Sequence, residues 1–472
     1  MTPLSTRIPG ASDNWVTVAL LVAAREIRAN VQNYKIASCL AVMTLLFLLS
    51  AHLMANNYKQ RLDNWTVNQT VQRETLAGGV VQYALPGGTF FHSAGRSQPA
   101  PIQQPLPLSV LVQGMERTVD RPVYVGQKLG FRPSQDRNSA SALFDSPDAL
   151  FIIKVLVSLF ALFFSVDAVT REKEAGTLRA LLSHPIRRRQ LLLGKAAGAS
   201  FSLVLPFAIA QFSAIAYLYA VQGLVRQSDE LMRALLVFGG GVLYGLVFVQ
   251  LGLFISTIST RTKSAAVAAL LAWGMLVLAL PDATVLAAEI VSPAPTYNHL
   301  EARLYEEQQR IIQEELRAHP GAKSIFGIPG AREAVLRAIE ADRQLTDDYL
   351  AHKWSQIDRA RTFAVISPAG ALTFGLSDLA GTGASEFKSY LGFLREGRDM
   401  AVEALQRRWD LPPERAGREV QETLDKVKGR QRQPETLAVG LRAALPAMAS
   451  LAIWALLIAL AAFRRFDHYD VR

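Results

Sequence analysis

Six apolar blocks interrupt an otherwise polar chain. Each is about 20 residues long, enough for a helix to cross the hydrocarbon core of a bilayer at about 1.5 Å per residue. They predict spans over about Ile36–Met54, Ala149–Ala168, Leu191–Ala220, Ala234–Ile255, Ala265–Leu280 and Leu441–Phe463. The stretch before the first block is too long for the n-region of a signal peptide, so that block reads as an uncleaved anchor. Pro206 lies inside the third block, removes a backbone donor and predicts a kink. Gly194, Ala196, Ala197, Gly198 and Ala199 open that block, and Gly241 and Gly245 set a small-xxx-small face on the fourth. Such faces let helix backbones approach closely in lipid. Ahead of the first block, Trp15, Val18, Ala19, Val22 and Ala29 recur at roughly helical spacing, while Arg25, Glu26, Arg28 and Asn30 take other faces. This pattern predicts an amphipathic helix in the membrane interface, capped by Ser12 or Asp13; the alternative is an ordinary helix packed on another subunit.

Two long polar stretches separate the blocks. The first, 57–147, carries short β-prone runs at Val80–Leu85, Thr89–His92, Leu108–Gln113 and Pro122–Gln127, with a proline-rich connection from Pro99 to Pro107; it predicts a small mixed α/β domain. The second, 286–437, is striped at helical period. Leu300, Leu304, Ile311 and Ile312 mark one helix, Val335, Leu336, Ile339, Leu345, Tyr349 and Leu350 a second, and Phe387, Leu391, Leu394, Leu405 and Trp409 a third. Breaks at Pro320-Gly321, Pro329-Gly330 and Ser367-Pro368 separate them. These stripes predict a helical bundle; a docking surface for a periplasmic partner, or a lid, is the sharper alternative. The expected fold is thus an α-helical polytopic membrane protein with six transmembrane helices, a small mixed α/β outer domain and a larger helical outer domain.

Charge orients this plan. The 472-residue chain is 50% hydrophobic and only 19% charged, with a net charge of +10. The excess sits beside the apolar blocks rather than in a nucleic-acid patch. Arg25, Arg28 and Lys35 precede the first span. Arg171, Lys173, Arg179, Arg187, Arg188, Arg189 and Lys195 lie between the second and third, Arg261 and Lys263 between the fourth and fifth, and Arg464, Arg465 and Arg472 at the end. Six spans bring all four groups to one side, which the positive-inside rule makes cytoplasmic. The expected organisation is a cytoplasmic segment 1–35, span 1 at 36–56 and a first extracytoplasmic domain at 57–147. Span 2 follows at 148–169, a cytoplasmic loop at 170–190 and spans 3 to 5 at 191–285. A second, helical extracytoplasmic domain occupies 286–437, span 6 438–463 and a cytoplasmic tail 464–472. The lone cysteine, Cys39, falls in a span, so no internal disulfide or cysteine-based metal site can form. No Cys/His metal spacing, H-E-x-x-H motif or nucleophile–base set argues for an enzyme.

Charges within spans are costly and therefore candidates for function. Lys154 lies one turn into the second span; it either snorkels to headgroups or meets an anionic substrate or lipid. Asp167, near the other end, can pair with Arg171 four residues on, or with Lys195 across to the third span.

The most informative segment is Val169-Thr170-Arg171-Glu172-Lys173-Glu174-Ala175-Gly176-Thr177-Leu178-Arg179-Ala180-Leu181-Leu182-Ser183-His184-Pro185-Ile186. A charged turn leads into a short helix whose Leu178, Leu181 and Leu182 form one apolar stripe. That stripe needs a partner surface, either another protein or this chain's own membrane-proximal helices. The pattern resembles permeases of the type-2 ABC exporter family, in the subgroup with large extracytoplasmic insertions. Glu172, Gly176-Thr177, Leu181-Leu182 and Pro185 fall at the family's spacing just after the second span, and the basic run to Gly194-Lys195 also fits. The resemblance implies that Glu172, Gly176, Thr177, Leu178, Leu181, Leu182 and Pro185 form an ATPase-coupling helix. It further implies two copies of a separate ABC ATPase subunit carrying ATP and Mg, and a second permease subunit, most simply another copy of this chain. The setting it implies is the bacterial inner membrane. No G-x-x-x-x-G-K-[ST] sequence is present, so ATP binding of that kind is not expected in this chain. The expected function is an exporter permease for an unknown substrate. The alternatives are a mechanotransmitter driving conformational work on an envelope partner without moving cargo, or a scaffold without an ATPase.

Overall fold

A computed structural model describes residues 15–83, 104–116, 121–122, 131–132, 147–183, 186–322, 332–408, 412, 415, 422, 426 and 432–469. Among these, six helices are long and apolar enough to cross a membrane: Lys35–Val67, Ala149–Glu174, Arg188–Ala220, Ser228–Ile258, Thr262–Val291 and Leu437–Asp467. They are spans 1 to 6.

The elements in chain order are α1 (Trp15–Gln32) and α2 (Lys35–Tyr83), then a two-residue strand pair, β1 (Arg121–Pro122) with β2 (Phe131–Arg132). Span 2 comprises α3 (Ala149–Ile152), a π turn (Ile153–Val157), α4 (Ser158–Ser165) and α5 (Thr170–Glu174). After it come α6 (Thr177–Ser183), α7 (Arg188–Ala220) and α8 (Ser228–Ile258). Span 5 joins α9 (Thr262–Gly274), a second π turn (Met275–Ala279) and α10 (Leu280–Val291). Then follow α11 (Tyr297–Ala318), α12 (Arg332–Ala364), α13 (Pro368–Ala380), α14 (Ala384–Arg408) and α15 (Leu437–Asp467). Lys35, Glu172, Lys195 and Asp467 lie at one end of the bundle, the basal end; α11, α12 and α14 lie at the other, the distal end.

Glycines set the helix spacing. A Cβ on Gly241 would stand 2.8 Å from the Phe207 ring and one on Gly245 2.9 Å from Leu203, so the small face of span 4 receives span 3. The small face that opens span 3 receives α1 instead. A Cβ on Gly194 would meet Val22 at 2.5 Å, and one on Gly198 would meet Glu26 at 2.7 Å. The helix of span 3 runs without interruption through Pro206.

The mixed α/β domain expected within 57–147 is not what the structure shows. Val80 to Tyr83 continue α2, a single helix of 49 residues. Leu108 to Val110 belong to a short 3-10 turn, Pro107–Val110, whose Leu108 and Val110, with Leu111 and Val112, are buried in the core of the spans. Their apolar run is used to pack on helices, not to fill one face of a sheet. Among the described residues the only strand pairing is β1 with β2, and Thr89–His92 lies outside them.

The helical reading of 286–437 holds where it is described. Leu300, Tyr349, Leu350, Leu391 and Leu394 share one buried core with Trp354 and Tyr390, flanked by Leu304, Leu345 and Phe387. Ile311 is buried against Ala334. The side chains of Val335, Leu405 and Trp409 lie outside the described residues. One element departs from that bundle. Ser367-Pro368 is not simply a break between bundle helices but the cap of α13, whose Ala369, Ala371, Leu372, Leu376, Leu379 and Ala380 join the core of the spans. At about 20 Å, α13 is too short to cross about 30 Å of hydrocarbon. It is wedged between spans 4 and 6 and against the π turn of span 5.

Candidate functional site

The segment from Asp167 to Ser183 forms an elbow at the basal end. Gly176 turns it, with a φ of +68° that favours glycine. Four successive charged residues before that turn each engage a different part of the molecule. Glu172 Oε1 accepts from Lys195 Nζ of span 3 at 2.7 Å. Arg171 Nη2 lies 3.4 Å from Glu26 of α1, and Lys195 lies 3.5 Å from the same carboxylate. Lys173 Nζ donates to the carbonyls of Thr257 at 2.6 Å and Ser259 at 2.9 Å, satisfying acceptors that the C-terminus of α8 leaves open. Glu174 accepts from Thr262 N at 3.0 Å and Thr262 Oγ1 at 2.7 Å, placing a carboxylate on the N-terminus of α9. Ser256 Oγ accepts from the backbone N–H of Val169 and of Thr170. The elbow is thereby tied to α1 and to spans 3, 4 and 5 by charge-assisted bonds.

Lys195 is 2% exposed, so its two carboxylates are required to hold a buried ammonium. Asp167 meets Lys35 at 3.0 Å and Arg171 at 3.8 Å. The pairing of Asp167 with Arg171 is therefore present. Its alternative partner, Lys195, is engaged by Glu172 and Glu26. Glu26, Lys35, Ser256 and Thr262 were not singled out from sequence. Glu26 and Asn30, expected on faces other than that of Ala19 and Val22, instead share with them the buried face of α1 that meets Gly194 and Gly198. Asn30 Nδ2 completes that seam with a 3.0 Å bond to Ser202 Oγ.

The leucine stripe of α6 does not face outward as a unit. Leu178 is 3% exposed and packs with Val169, Leu191, Leu192, Leu253 and Phe466, so one of its partners is this chain's own helices. Leu181 is half-buried, Gly176, Thr177 and Arg179 are exposed, and the Leu182 side chain and Pro185 lie outside the described residues. Beside this surface opens a cleft of about 770 Å³ lined by Arg179, Ser183, Ile186, Arg187, Arg188, Arg189 and Asp467. Arg188 also donates to the carbonyls of Asp467 at 2.6 Å and Tyr469 at 2.9 Å, locking the start of span 3 to the end of span 6.

A second polar cluster holds α13 at the distal end. Ser367 Oγ accepts from Gly370 N and donates to the Leu276 carbonyl in the π turn of span 5. At the other end Arg233 of span 4 donates to the carbonyls of Leu379 at 3.3 Å and Glu435 at 2.6 Å, a cation at a helix C-terminus. Gly381, at φ +74°, closes the helix where a Cβ would stand 2.9 Å from that guanidinium. Arg361 pairs with Asp378 and also donates to the Ala443 carbonyl of α15. Burial pushes the Asp378 carboxyl up to about 6, against the pull of Arg361 and with a further push from Glu435.

Lys154 sits in the π turn of span 2, half-buried, with its ammonium 5.9 Å from the centre of the Phe151 ring. Its carbonyl is held by Ser158 Oγ at 2.6 Å and Tyr244 Oη at 2.9 Å, and Trp273 Nε1 holds Ser158 in turn. Among the described residues no group of three or more His, Cys, Asp or Glu is arranged to hold a metal ion.

Comparison with known proteins agrees with this architecture. The family model described as ABC-2 family transporter protein matches residues 20–471. A protein of Pseudomonas aeruginosa named probable ABC transporter permease protein NosY is 36% identical over 149 residues, which is 32% of this chain and 52% of that relative. Its counterpart of the same name in Stutzerimonas stutzeri is 34% identical over 142 residues, 29% of this chain and 49% of that relative. The chain spans about half the length of these relatives. With a family match running from α1 through span 6, the chain belongs to the ABC-2 family of transporter proteins.

Proposed function

We propose that this chain is the membrane-spanning subunit of an ATP-driven exporter, and that the α5–α6 elbow seats in a groove of a separate ATPase. The observation that carries the reading is the wiring of the elbow. It presents Gly176, Thr177 and Arg179 at the surface, while Glu172, Lys173 and Glu174 bind spans 3, 4 and 5. A push on that surface reaches three spans through bonds of 2.6–2.7 Å. In this reading Leu178 anchors the helix to its own chain, and Leu181, Leu182 and Pro185 complete the docking surface. The arginine cleft offers an acidic partner surface a complementary seat.

The positive-inside rule puts the basal end in the cytoplasm of a bacterial inner-membrane protein and the distal helices outside. The working assembly is two copies of this chain with two ATPase subunits, ATP and Mg being bound on the latter. Two relatives named as ABC transporter permeases support the transport reading. The second reading, conformational work on an envelope partner, is favoured by the distal helices. Their α14 packs on α13, and α13 on the spans, so motion within the membrane reaches the outer surface through packed helices.

The test is co-purification of the tagged chain with the ATPase subunit of its own host, followed by ATP hydrolysis in lipid nanodiscs. Thr177→Trp with Arg179→Glu is expected to abolish both association and stimulated hydrolysis, with the unfolding midpoint of the chain unchanged. A complex that survives this pair of changes at full hydrolysis rate places the interface elsewhere.

A further inference from the structure

At the distal end of the seam between spans 1 and 3, polar side chains join in one run of hydrogen bonds. Lys59 Nζ donates to Gln222 Oε1 at 2.8 Å, and Gln222 Nε2 donates to Tyr217 Oη at 2.6 Å. A lysine can only donate, so this order fixes the Gln222 amide. Asn56 Nδ2 donates to His52 Nε2 at 3.1 Å. The other ring nitrogen, Nδ1, therefore carries the hydrogen and donates to Tyr217 Oη at 2.8 Å. Tyr217 Oη thus accepts twice, and its own O–H is left to donate. Among the described residues no acceptor takes that hydrogen, and the rest of the Lys59 ammonium is equally free.

The loop that completes this cluster is held in place. Leu224 N donates to the Leu218 carbonyl at 2.9 Å, Gly223 turns at φ +71°, and the buried Val225 takes φ +57°, which a β-branched residue adopts only where its surroundings hold it. Arg226 follows, its guanidinium 5.9 Å from the centre of the Tyr219 ring. No carboxylate balances these cations. Asp229 and Glu230 are taken by Arg233 and by Gln227 N, and Asp63, one turn beyond Lys59, makes no ion pair with it. Depth gives the cluster its setting. Tyr217 lies 22 residues beyond Lys195 on the uninterrupted helix of span 3, about 33 Å above the basal charges against about 30 Å of hydrocarbon. That is the headgroup level of the distal leaflet. Below it, Leu45 of span 1 lies on the stripe of His52, Asn56 and Lys59, and Ile209 of span 3 lies about two turns beneath Tyr217. Both are open to lipid, at 67% and 43% exposed.

We propose that this cluster binds the phosphodiester of an anionic phospholipid in the distal leaflet. Lys59 and the Tyr217 hydroxyl donate to its oxygens, and Leu45 and Ile209 flank its acyl chains. Free donors and positive charge without an acid are what a phosphate requires. A headgroup amine would find no carboxylate in the cluster, so phosphatidylglycerol is favoured over phosphatidylethanolamine. The bound lipid bridges spans 1 and 3 at the point where the helix of span 1 leaves the bilayer. The inference needs only that the spans lie in a membrane, and it is independent of the ATPase and of the assembly put forward above.

The experiment uses the full-length chain, delipidated in a neutral detergent and titrated with phosphatidylglycerol while native mass spectrometry counts the lipid retained. Wild type is expected to hold it about tenfold more tightly than phosphatidylethanolamine, and Tyr217→Phe or Lys59→Gln to weaken it about tenfold. Lys59→Arg, which keeps the charge, should retain most of the affinity. A photoreactive phosphatidylglycerol should label residues 45–59 or 205–222. Unfolding midpoints in phosphatidylcholine nanodiscs should match wild type, and Lys59→Gln, on an exposed helix surface, carries the test even if Tyr217→Phe loosens the seam. Variants that hold phosphatidylglycerol as tightly as wild type overturn the proposal, and so does labelling confined to the basal arginines. Equal retention of phosphatidylethanolamine would remove the anionic preference on which the assignment stands. Displacement of the lipid by inorganic phosphate at millimolar concentration would make a free anion the ligand and would likewise count against it.

Discussion

Two short helices fail to cross the membrane, and they fail in opposite ways. The seven residues of α6 lie at the basal surface, anchored by Leu178 and otherwise largely open. The thirteen residues of α13 are enclosed nearly throughout, from Pro368 to Ala380. Around α6, charged side chains reach from the adjoining α5 to neighbouring helices. Around α13, neighbouring arginines reach in to the helix, and the helix itself contributes little beyond Ser367 and Asp378. A helix held by side chains at its root and bare at its tip can be pushed by a partner. A helix packed on every face can only move with its neighbours, and α13 lies between spans 4, 5 and 6 and the distal helix α14.

The comparison can be broken most severely at Lys195. Lys195→Met leaves the Glu172 carboxylate without its cation and Glu26 with Arg171 alone, and is expected to cost about 3–5 kcal/mol. Thermal unfolding in nanodiscs reads the loss, and adding Glu26→Gln with Glu172→Gln should recover most of it. A loss of less than about 1 kcal/mol would show that the root of the elbow is not held by charge.

A smaller effect is expected from pH at the other helix. Asp378 has a folded-state pKa of about 6, above its ordinary 3.8, so the fold favours the protonated form. Its contribution is fully present below pH 4 and is lost as pH rises through 6, a fall of order 2–3 kcal/mol. Denaturation of wild type and Asp378→Asn at matched pH values isolates this slope, and an Asp378→Asn profile parallel to wild type would refute it. The smallest effect should come from Ser367→Ala, which removes the cap of α13 and the bond to Leu276, at about 1 kcal/mol. Hydrogen exchange at Gly370 should then quicken, while the amides of α6 stay unchanged.

Sequence legibility also differed between the two helices. The elbow was visible because its chemistry is local: Glu172, Gly176 and Thr177 lie within six consecutive residues, and Asp167 meets Arg171 four residues away. Its long-range partners were hidden. Nothing in the string joins Glu26 to Lys195, because that pairing exists only where α1 crosses the glycine face of span 3. The helix α13 belongs to none of the stripes, for a related reason. A short apolar run between breaks looks the same whether it fills a bundle core or a gap between spans, and only neighbours distinguish them. Leu108 to Val112 carried the same ambiguity, and the strand expectation there gave way to packing against spans.

The chain by itself determined the six apolar helices, since hydrocarbon thickness and the cost of exposed backbone in lipid act on any stretch of sufficient length. It likewise determined the helical stripes of α11, α12 and α14, whose period is written in consecutive residues. Only the tertiary structure decided which helices meet, because contacts between residues far apart in the chain depend on the packing of surfaces that no local pattern encodes. That packing turned Leu178 inward, gave Lys195 two carboxylates and buried α13 among the spans.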